Sequence, residues 1–215
     1  MDQQILFLIN HAWARPWLDP IMAAASSWDL WWPFLVIAGA GVLIFGGFRG
    51  RAMVLAAALA IGITDGLVVD TLKDIVGRPR PHEVVRGVRT LDLEKATPRF
   101  AALAKPLRVE YSNPGILPPH GNSFPSGHAA NNFAFATVLA LFFRRWGWLA
   151  FFPAALVSYS RIYVGSHWPL DVLVSCLIGS GIALLTVAAL EGLWRFRIGR
   201  RFPRVLEQHP SLLVS

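Results

Sequence analysis

Long apolar stretches separated by short basic connections constrain the fold of this 215-residue chain more than any other feature. Five stretches are strongly apolar, and a sixth near the start is weaker. They cover residues 16–27, 31–47, 52–72, 126–143, 146–161 and 169–193. A helix needs about 20 residues to cross the roughly 30 Å of hydrocarbon in a bilayer. The pattern predicts an all-α, polytopic membrane bundle of six transmembrane helices in a single domain, residues 1–215.

Composition supports a membrane protein and excludes other classes. Hydrophobic residues make up 54% of the chain and charged residues 15%, whereas about 25% charged residues is usual for soluble domains. Such a chain is too apolar for a disordered protein. The net charge of +7 could indicate nucleic acid, but no recognition motif accompanies the basic residues. Membrane lipids are therefore the expected partners, nucleic acid is not, and the oligomeric state stays open.

Short basic connections predict the orientation. Two arginines lie between spans two and three, two between spans four and five, and five follow span six. With six spans, these groups share one face, which the positive-inside rule makes cytoplasmic. A polar, Pro-rich extramembrane loop, residues 82–124, then lies on the opposite face between spans three and four.

Three clusters of polar residues lie at the outer ends of the expected spans. The first runs from Lys73 to Arg80, the second is Ser126-Gly127-His128, and the third holds Arg161, His167 and Asp171. The cations suit phosphate oxygens, and a helix that opens at Ser126 and Gly127 would present free amides to an anion. Cations, helix-end amides and two imidazoles together indicate a metal-free phosphoryl-transfer site.

His167 and Asp171 are four residues apart, so on a helix they would share one face. A carboxylate in that position can hold one imidazole nitrogen as a donor and leave the other as a nucleophile. His128 is a separate imidazole, suited to general acid and base catalysis.

These residues resemble the type 2 phosphatidic acid phosphatase superfamily of membrane lipid phosphatases. Its pattern is Lys, six residues, Arg-Pro; then Pro-Ser-Gly-His; then Ser-Arg, five residues, His, three residues, Asp. The chain matches it in residue type, spacing and order at Lys73 to Pro81, Pro125 to His128 and Ser160 to Asp171. Residues 1–50 match only in being helical.

The resemblance implies roles for the matched residues. His167 attacks phosphorus and becomes a phosphohistidine, Asp171 orients it, and His128 protonates the leaving oxygen and then activates water. No metal or other cofactor is expected. The implied phosphate-binding residues are Lys73, Arg80, Ser126, Gly127 and Arg161. Arg78, just outside the family spacing, and Asn132, one turn inside His128, are candidates to support the site.

The expected activity is hydrolysis of a lipid phosphate or diphosphate at the outer face of a bacterial inner membrane, with the site facing the periplasm. Isoprenyl diphosphate and phosphatidylglycerophosphate are the favoured substrates, with lipid A 1-phosphate and phosphatidic acid as alternatives. Two other classes stay open. One is a non-catalytic lipid-binding or lipid-transport member of the fold. The other is a vanadate-dependent haloperoxidase, whose site resembles this one because vanadate mimics phosphate.

Overall fold

The computed structural model describes residues 1–115 and 121–213. The chain is helical apart from two short strands. The α-helices are α1 (Asp2–Phe7), α2 (Asp19–Ser26), α3 (Trp28–Phe45), α4 (Phe48–Ile63), α5 (Asp70–Val76), α6 (Pro81–Val84), α7 (Gly127–Phe142), α8 (Phe151–Tyr163), α9 (Pro169–Leu193), α10 (Gly199–Arg201) and α11 (Pro203–Gln208). Strand β1 (Arg89–Leu93) pairs with β2 (Leu107–Tyr111), and 3-10 turns cover Arg99–Ala104 and Gly147–Ala150.

Wider π-helical turns join several of these helices. They extend α1 over Leu8–Ala12, connect α4 to α5 over Thr64–Val69, and extend α9 over Trp194–Ile198. As a result, α4 and α5 form one continuous helical segment, and α9 continues into α10.

Helix α7 lies at the centre of the bundle and packs against α4, α8 and α9. Its buried side chains are mostly small, among them Ala129, Ala130 and Ala134. Small residues let helix backbones approach closely, which is a common way to pack helices inside a membrane. The tightest approach is to Gly179 of α9, where an added Cβ would overlap the carbonyl oxygen of Ala130.

Three helical segments of the described chain are long and apolar enough to cross a membrane, namely Trp28–Phe45, Phe48–Val84 and Pro169–Arg201. Helices α7 and α8 have 16 and 13 residues, so they are about 24 and 20 Å long at 1.5 Å per residue. They are the structured counterparts of the fourth and fifth expected spans. The last expected span, residues 169–193, agrees with α9 at both ends.

The prediction of a first span over residues 16–27 is wrong. Helix α2 has eight residues, which is about 12 Å. Both of its ends contact the same end of α8, because Asp19 accepts a hydrogen bond from the Tyr163 hydroxyl (2.6 Å) and Ser26 accepts from Arg161. The apolar run between these ends resembles part of a span, but α2 lies across one end of the bundle.

The segment over residues 82–124 contains regular structure that the sequence did not indicate. Strands β1 and β2 are antiparallel, with Arg89 opposite Tyr111 and Leu93 opposite Leu107. Leu93 and Ala102 pack with Ala23 and Leu30, so the segment is fixed to α2 and α3. Among the described residues it covers the end of the bundle where the polar clusters lie.

We expect Gly179→Ala to destabilise the bundle, because the new methyl group would force α7 and α9 apart. Overpacking of this kind costs about 1–3 kcal/mol, or about 2–4 °C of melting temperature per kcal/mol at this chain length. Thermal unfolding in detergent, followed by size exclusion, measures the change. Gly181→Ala is the matched control, since an added Cβ there meets nothing within 4 Å. Equal melting temperatures for the two variants would contradict the packing.

Candidate active site

The three sequence clusters meet at one end of the bundle, joined by hydrogen bonds between elements far apart in the chain. The guanidinium of Arg78, after α5, forms an ion pair with Asp171 in the first turn of α9. The Ser126 amide, at the start of α7, donates to the Ser175 hydroxyl of α9 over 2.8 Å. The structure therefore assembles the predicted residues, although it arranges some of them differently.

His167 is held by a backbone carbonyl and not by Asp171. Its Nδ1 lies 2.6 Å from the carbonyl oxygen of Ser123. A carbonyl oxygen only accepts hydrogen bonds, so Nδ1 carries the hydrogen and Nε2 keeps its lone pair. The expected shared helical face fails because α9 begins at Pro169, which leaves His167 in the connection before the helix.

Asp171 acts on His167 through Ser123. One carboxylate oxygen accepts from the Ser123 hydroxyl over 2.7 Å, and the other pairs with Arg78. Asp171 is almost fully buried, with 1% of its surface exposed, so its charge depends on these partners. Ser123 thus links the two residues, because its hydroxyl donates to the Asp171 carboxylate and its backbone carbonyl accepts from the His167 imidazole. We call the chain Arg78–Asp171–Ser123–His167 the support network.

Arg78 has a second carboxylate partner. The Asp2 side chain lies 2.7 Å from the guanidinium and also accepts from the Leu170 amide over 3.0 Å, at the start of α9. The guanidinium stacks over the Trp168 ring at 5.1 Å. Arg78 therefore contacts Asp171, Asp2 and Trp168, while its supporting role stays a prediction. Asp2 and Ser123 were not among the candidates from the sequence. The sequence signal that could have pointed to Ser123 is its position two residues before the Pro-Ser-Gly-His tetrad. No sequence signal points to Asp2.

Arg161 is the most enclosed of the candidate phosphate-binding cations. One of its terminal nitrogens donates to Ser26, while its buried Nε has no hydrogen-bond partner among the described residues. Arg80 follows at the start of α6, where its own amide donates to the Glu83 carboxylate over 2.8 Å. Lys73 forms an i,i+3 ion pair with Asp70 at 3.6 Å.

Arg161, Arg80 and Lys73 all lie within electrostatic range of His128. Arg161 and Arg80 also act on His167. Three positive charges therefore lie near His128 and two of them also lie near His167, and that arrangement is suited to an anion with several oxygens.

Ser126 and Gly127 open α7, as the sequence predicted. The Ser126 amide is already bonded to Ser175, so it is not available to a ligand. Its hydroxyl oxygen is buried and has no partner among residues 1–115 and 121–213. Buried polar groups are rarely left unpaired, and a phosphate oxygen would satisfy this hydroxyl together with the Arg161 Nε.

His128 is the second residue of α7, and its Nε2 is another buried polar atom without a partner in the described chain. Asn132 donates to the backbone carbonyl of His128 over 2.9 Å. Asn132 therefore contacts the helix turn that carries His128, and its supporting role stays a prediction.

The environment of His167 keeps its imidazole neutral. Burial lowers the pKa of His167 well below its ordinary value, and the charges of Arg161 and Arg80 lower the pKa further. A neutral imidazole retains the lone pair that a nucleophile needs. Within the described residues, no group of three or more His, Cys, Asp or Glu side chains could hold a metal ion.

A family model described as the PAP2 superfamily matches residues 51–195. The lipid A 4'-phosphatase of Bacteroides thetaiotaomicron is 29% identical over 185 residues, covering 83% of this chain and 72% of that protein. The undecaprenyl-diphosphatase of Sulfolobus acidocaldarius is 50% identical over 70 residues, covering 32% of this chain. The match spans only 34% of the archaeal protein.

Two solved structures share the fold. The crystal structure of Aquifex aeolicus LpxE has a TM-score of 0.61 and 29% identity, covering 86% of this chain and 94% of that one. The PAP2-type phosphatidylglycerolphosphate phosphatase of Bacillus subtilis has a TM-score of 0.57 and 24% identity, covering 91% of this chain and 87% of that one.

We expect His167 to titrate well below the usual histidine pKa of about 6.5, since burial and neighbouring cations oppose its protonation. The charged form should appear only as pH falls through this lowered pKa. A pH titration of ¹³Cε1-histidine resonances in detergent measures it, with His167→Asn identifying the signal. A His167 midpoint at or above pH 6.5 would contradict the described environment.

Proposed function

We propose, since the chain belongs to the PAP2 superfamily, that this integral membrane phosphatase hydrolyses a lipid phosphate or diphosphate through a phosphohistidine intermediate. One observation carries the proposal. The Ser123 carbonyl fixes the hydrogen of His167 on Nδ1, which leaves Nε2 as the nucleophile. Within residues 1–115 and 121–213, buried atoms of Ser126, His128 and Arg161 also lack hydrogen-bond partners, and the oxygens of a phosphoryl group would supply them.

The first step forms a bond between His167 Nε2 and phosphorus and breaks the bond from phosphorus to the leaving oxygen. His128 starts this step protonated, a form that the negative charge of the bound phosphate favours. It gives its proton to the leaving oxygen, so the leaving group departs neutral at this atom. In the second step His128 takes a proton from water, and the water oxygen displaces His167 from phosphorus. Inorganic phosphate is released, and both imidazoles return to their starting states.

Lys73, Arg80 and Arg161 stabilise the charge on the equatorial oxygens during both steps. In a site with little water, preorganised donors of this kind supply much of the rate enhancement. The Ser126 hydroxyl and the Gly127 amide add donors at the start of α7. Asp171 keeps Ser123 in place. Ser123 in turn orients the His167 imidazole, which accepts the phosphoryl group.

The comparisons leave more than one substrate open. The named relatives include an undecaprenyl-diphosphatase and a lipid A 4'-phosphatase. Isoprenyl diphosphate and phosphatidylglycerophosphate therefore remain candidates beside lipid A 1-phosphate and phosphatidic acid. All share a phosphate at headgroup depth on a lipid tail, and the site at the helix ends suits that placement.

Five helical segments run between the two ends of the described bundle, and we propose that all five cross the membrane. They are α3, α4 with α5, α7, α8 and α9. Without a first span, Asp2 and the rest of the N-terminal region lie at the site end. The basic connections at 49–51 and 144–145 stay together at the other end. By the positive-inside rule, they support our proposal that the site faces the periplasm from a bacterial inner membrane.

We expect a covalent intermediate on His167. Rapid quench of the purified protein with ³²P-labelled lipid phosphate, in EDTA, into alkaline SDS should trap label that is stable in base and labile in acid. His167→Ala should trap none and lose about three or more orders of magnitude in turnover, because the nucleophile is gone. His128→Ala should also lose turnover.

The control for this trap is His82→Ala, which removes an imidazole that bonds the Gly165 carbonyl. It should retain the labelled intermediate. Label that persists in His167→Ala would show that another residue is the nucleophile.

We expect the two ends of the bundle to be labelled from opposite sides. In a Cys176→Ala background, single cysteines at Glu94, Arg51 and Arg145 occupy exposed positions. A membrane-impermeant thiol reagent on intact spheroplasts should label only the Glu94 site. Lysed cells serve as the control, because all three sites should react there. Labelling of Arg51 or Arg145 sites in intact spheroplasts would place the active site at the cytoplasmic face.

A further inference from the structure

A cavity of about 1190 Å³ adjoins the candidate active site. Arg80, His128 and Arg161 line one side of it, and so does Ser166, the neighbour of His167. Pockets that bury a whole drug-sized ligand measure about 300–1,000 Å³. The cavity is therefore much larger than a single phosphate group requires.

The remaining walls come from two other parts of the chain. One is the junction of α2 and α3, and the other is the segment that holds β1, the 3-10 turn and β2. Their polar lining side chains are Ser26, Ser27, Asp29, Thr90, Asp92, Lys95, Thr97, Arg99, Lys105, Arg108 and Glu110. The extramembrane segment thus forms a polar chamber next to the residues that hold the phosphate.

Three carboxylates line this chamber. Asp29 lies 2.5 Å from Arg99, and Glu110 lies 2.7 Å from Arg108, so each contributes one member of an ion pair. Within the described part of the chain, the Asp92 carboxylate accepts one hydrogen bond, from the adjacent Leu93 amide over 2.8 Å. Carboxylates repel phosphate groups but accept hydrogen bonds from hydroxyls.

The chamber also offers donors and hydroxyl groups. Lys105 donates to the carbonyl of Lys95 over 2.8 Å, which fixes two ammonium-bearing residues beside each other. Thr90 and Thr97 add hydroxyls. A headgroup that contains only phosphates uses the cations and offers no hydrogen-bond donor to the carboxylates. A polyhydroxylated headgroup uses both, because each hydroxyl can donate and accept.

We propose that this chamber binds the sugar headgroup of a phosphorylated glycolipid, with the reacting phosphate at Arg80, His128 and Arg161 and the sugar hydroxyls on Asp92 and Glu110. The inference rests on the proposed phosphatase function and narrows its substrate class. It favours a glycolipid phosphate over the isoprenyl diphosphate that was one of the two substrates favoured by the sequence. A prenyl diphosphate has no hydroxyl groups for the three carboxylates.

The test compares phosphate release from three pure lipids in detergent, namely a diacylated glucosamine disaccharide 1-phosphate, dioleoyl phosphatidic acid and a prenyl diphosphate. For the intact protein, kcat/KM should be highest for the glycolipid. The double variant Asp92→Asn, Glu110→Gln keeps the side-chain sizes but removes the charged acceptors. Its kcat/KM for the glycolipid should fall about tenfold or more, since hydrogen bonds to charged groups are the stronger ones. Its kcat/KM for phosphatidic acid should stay within about twofold.

Glu94→Gln is the matched control, because Glu94 lies on the same segment but does not line the chamber. It should leave all three kcat/KM values unchanged. Retained phosphatidic acid hydrolysis in the double variant shows that the protein is folded. An equal loss on all lipids, no loss on the glycolipid, or a higher intact-protein kcat/KM for prenyl diphosphate would each overturn the inference. Absence of phosphate release from all three lipids by the intact protein would overturn the proposed function and this inference with it.

Discussion

The candidate site depends on a buried carboxylate that is kept charged by its partners. Asp171 has almost no solvent contact, and removing a charge from water is costly unless another charge and hydrogen bonds replace the water. Arg78 supplies the opposite charge and Ser123 supplies a hydroxyl. The Ser123 carbonyl also holds His167. Ser123 therefore both stabilises the charge of Asp171 and orients the nucleophile.

This network also joins the elements of the bundle. Arg78 comes from the end of α5, Ser123 precedes α7, and Asp171 lies in the first turn of α9. Asp2 connects α1 to this network, because its carboxylate pairs with the Arg78 guanidinium and also accepts from the Leu170 amide at the start of α9. The network therefore fixes the starts of α7 and α9 to the end of α5.

The sequence predicted the parts of the site that follow from local spacing. The Pro-Ser-Gly-His tetrad does open α7, and α9 has the expected bounds, because both rest on helix-start chemistry and apolar length. The predicted direct contact between Asp171 and His167 is absent from the structure. Residues four apart share a face only when both lie in one helix. Whether His167 precedes the helix depends on Pro169 and on the packing around it.

The remaining differences come from long-range contacts. Residues 16–27 are apolar enough to resemble a span, but Asp19 bonds Tyr163 at the site end. The hairpin of β1 and β2 gains its structure from packing on α2 and α3, which no short window of sequence reveals. Asp2 and Ser123 join the site for the same reason, because their partners lie far away in the chain. A local sequence pattern does not show which distant residue each of these side chains contacts.

The central claim is that the donors around His167 form one binding site for a phosphoryl group. The structure of the protein with bound orthovanadate, which imitates the transferring phosphoryl group, tests this most directly. The account predicts vanadium at bonding distance from His167 Nε2, with its oxygens on Arg80, Arg161 and the Ser126 hydroxyl and with His128 opposite the nucleophile. Vanadate bound elsewhere, or bound there with His167 Nε2 turned away and Nδ1 released from Ser123, would contradict it.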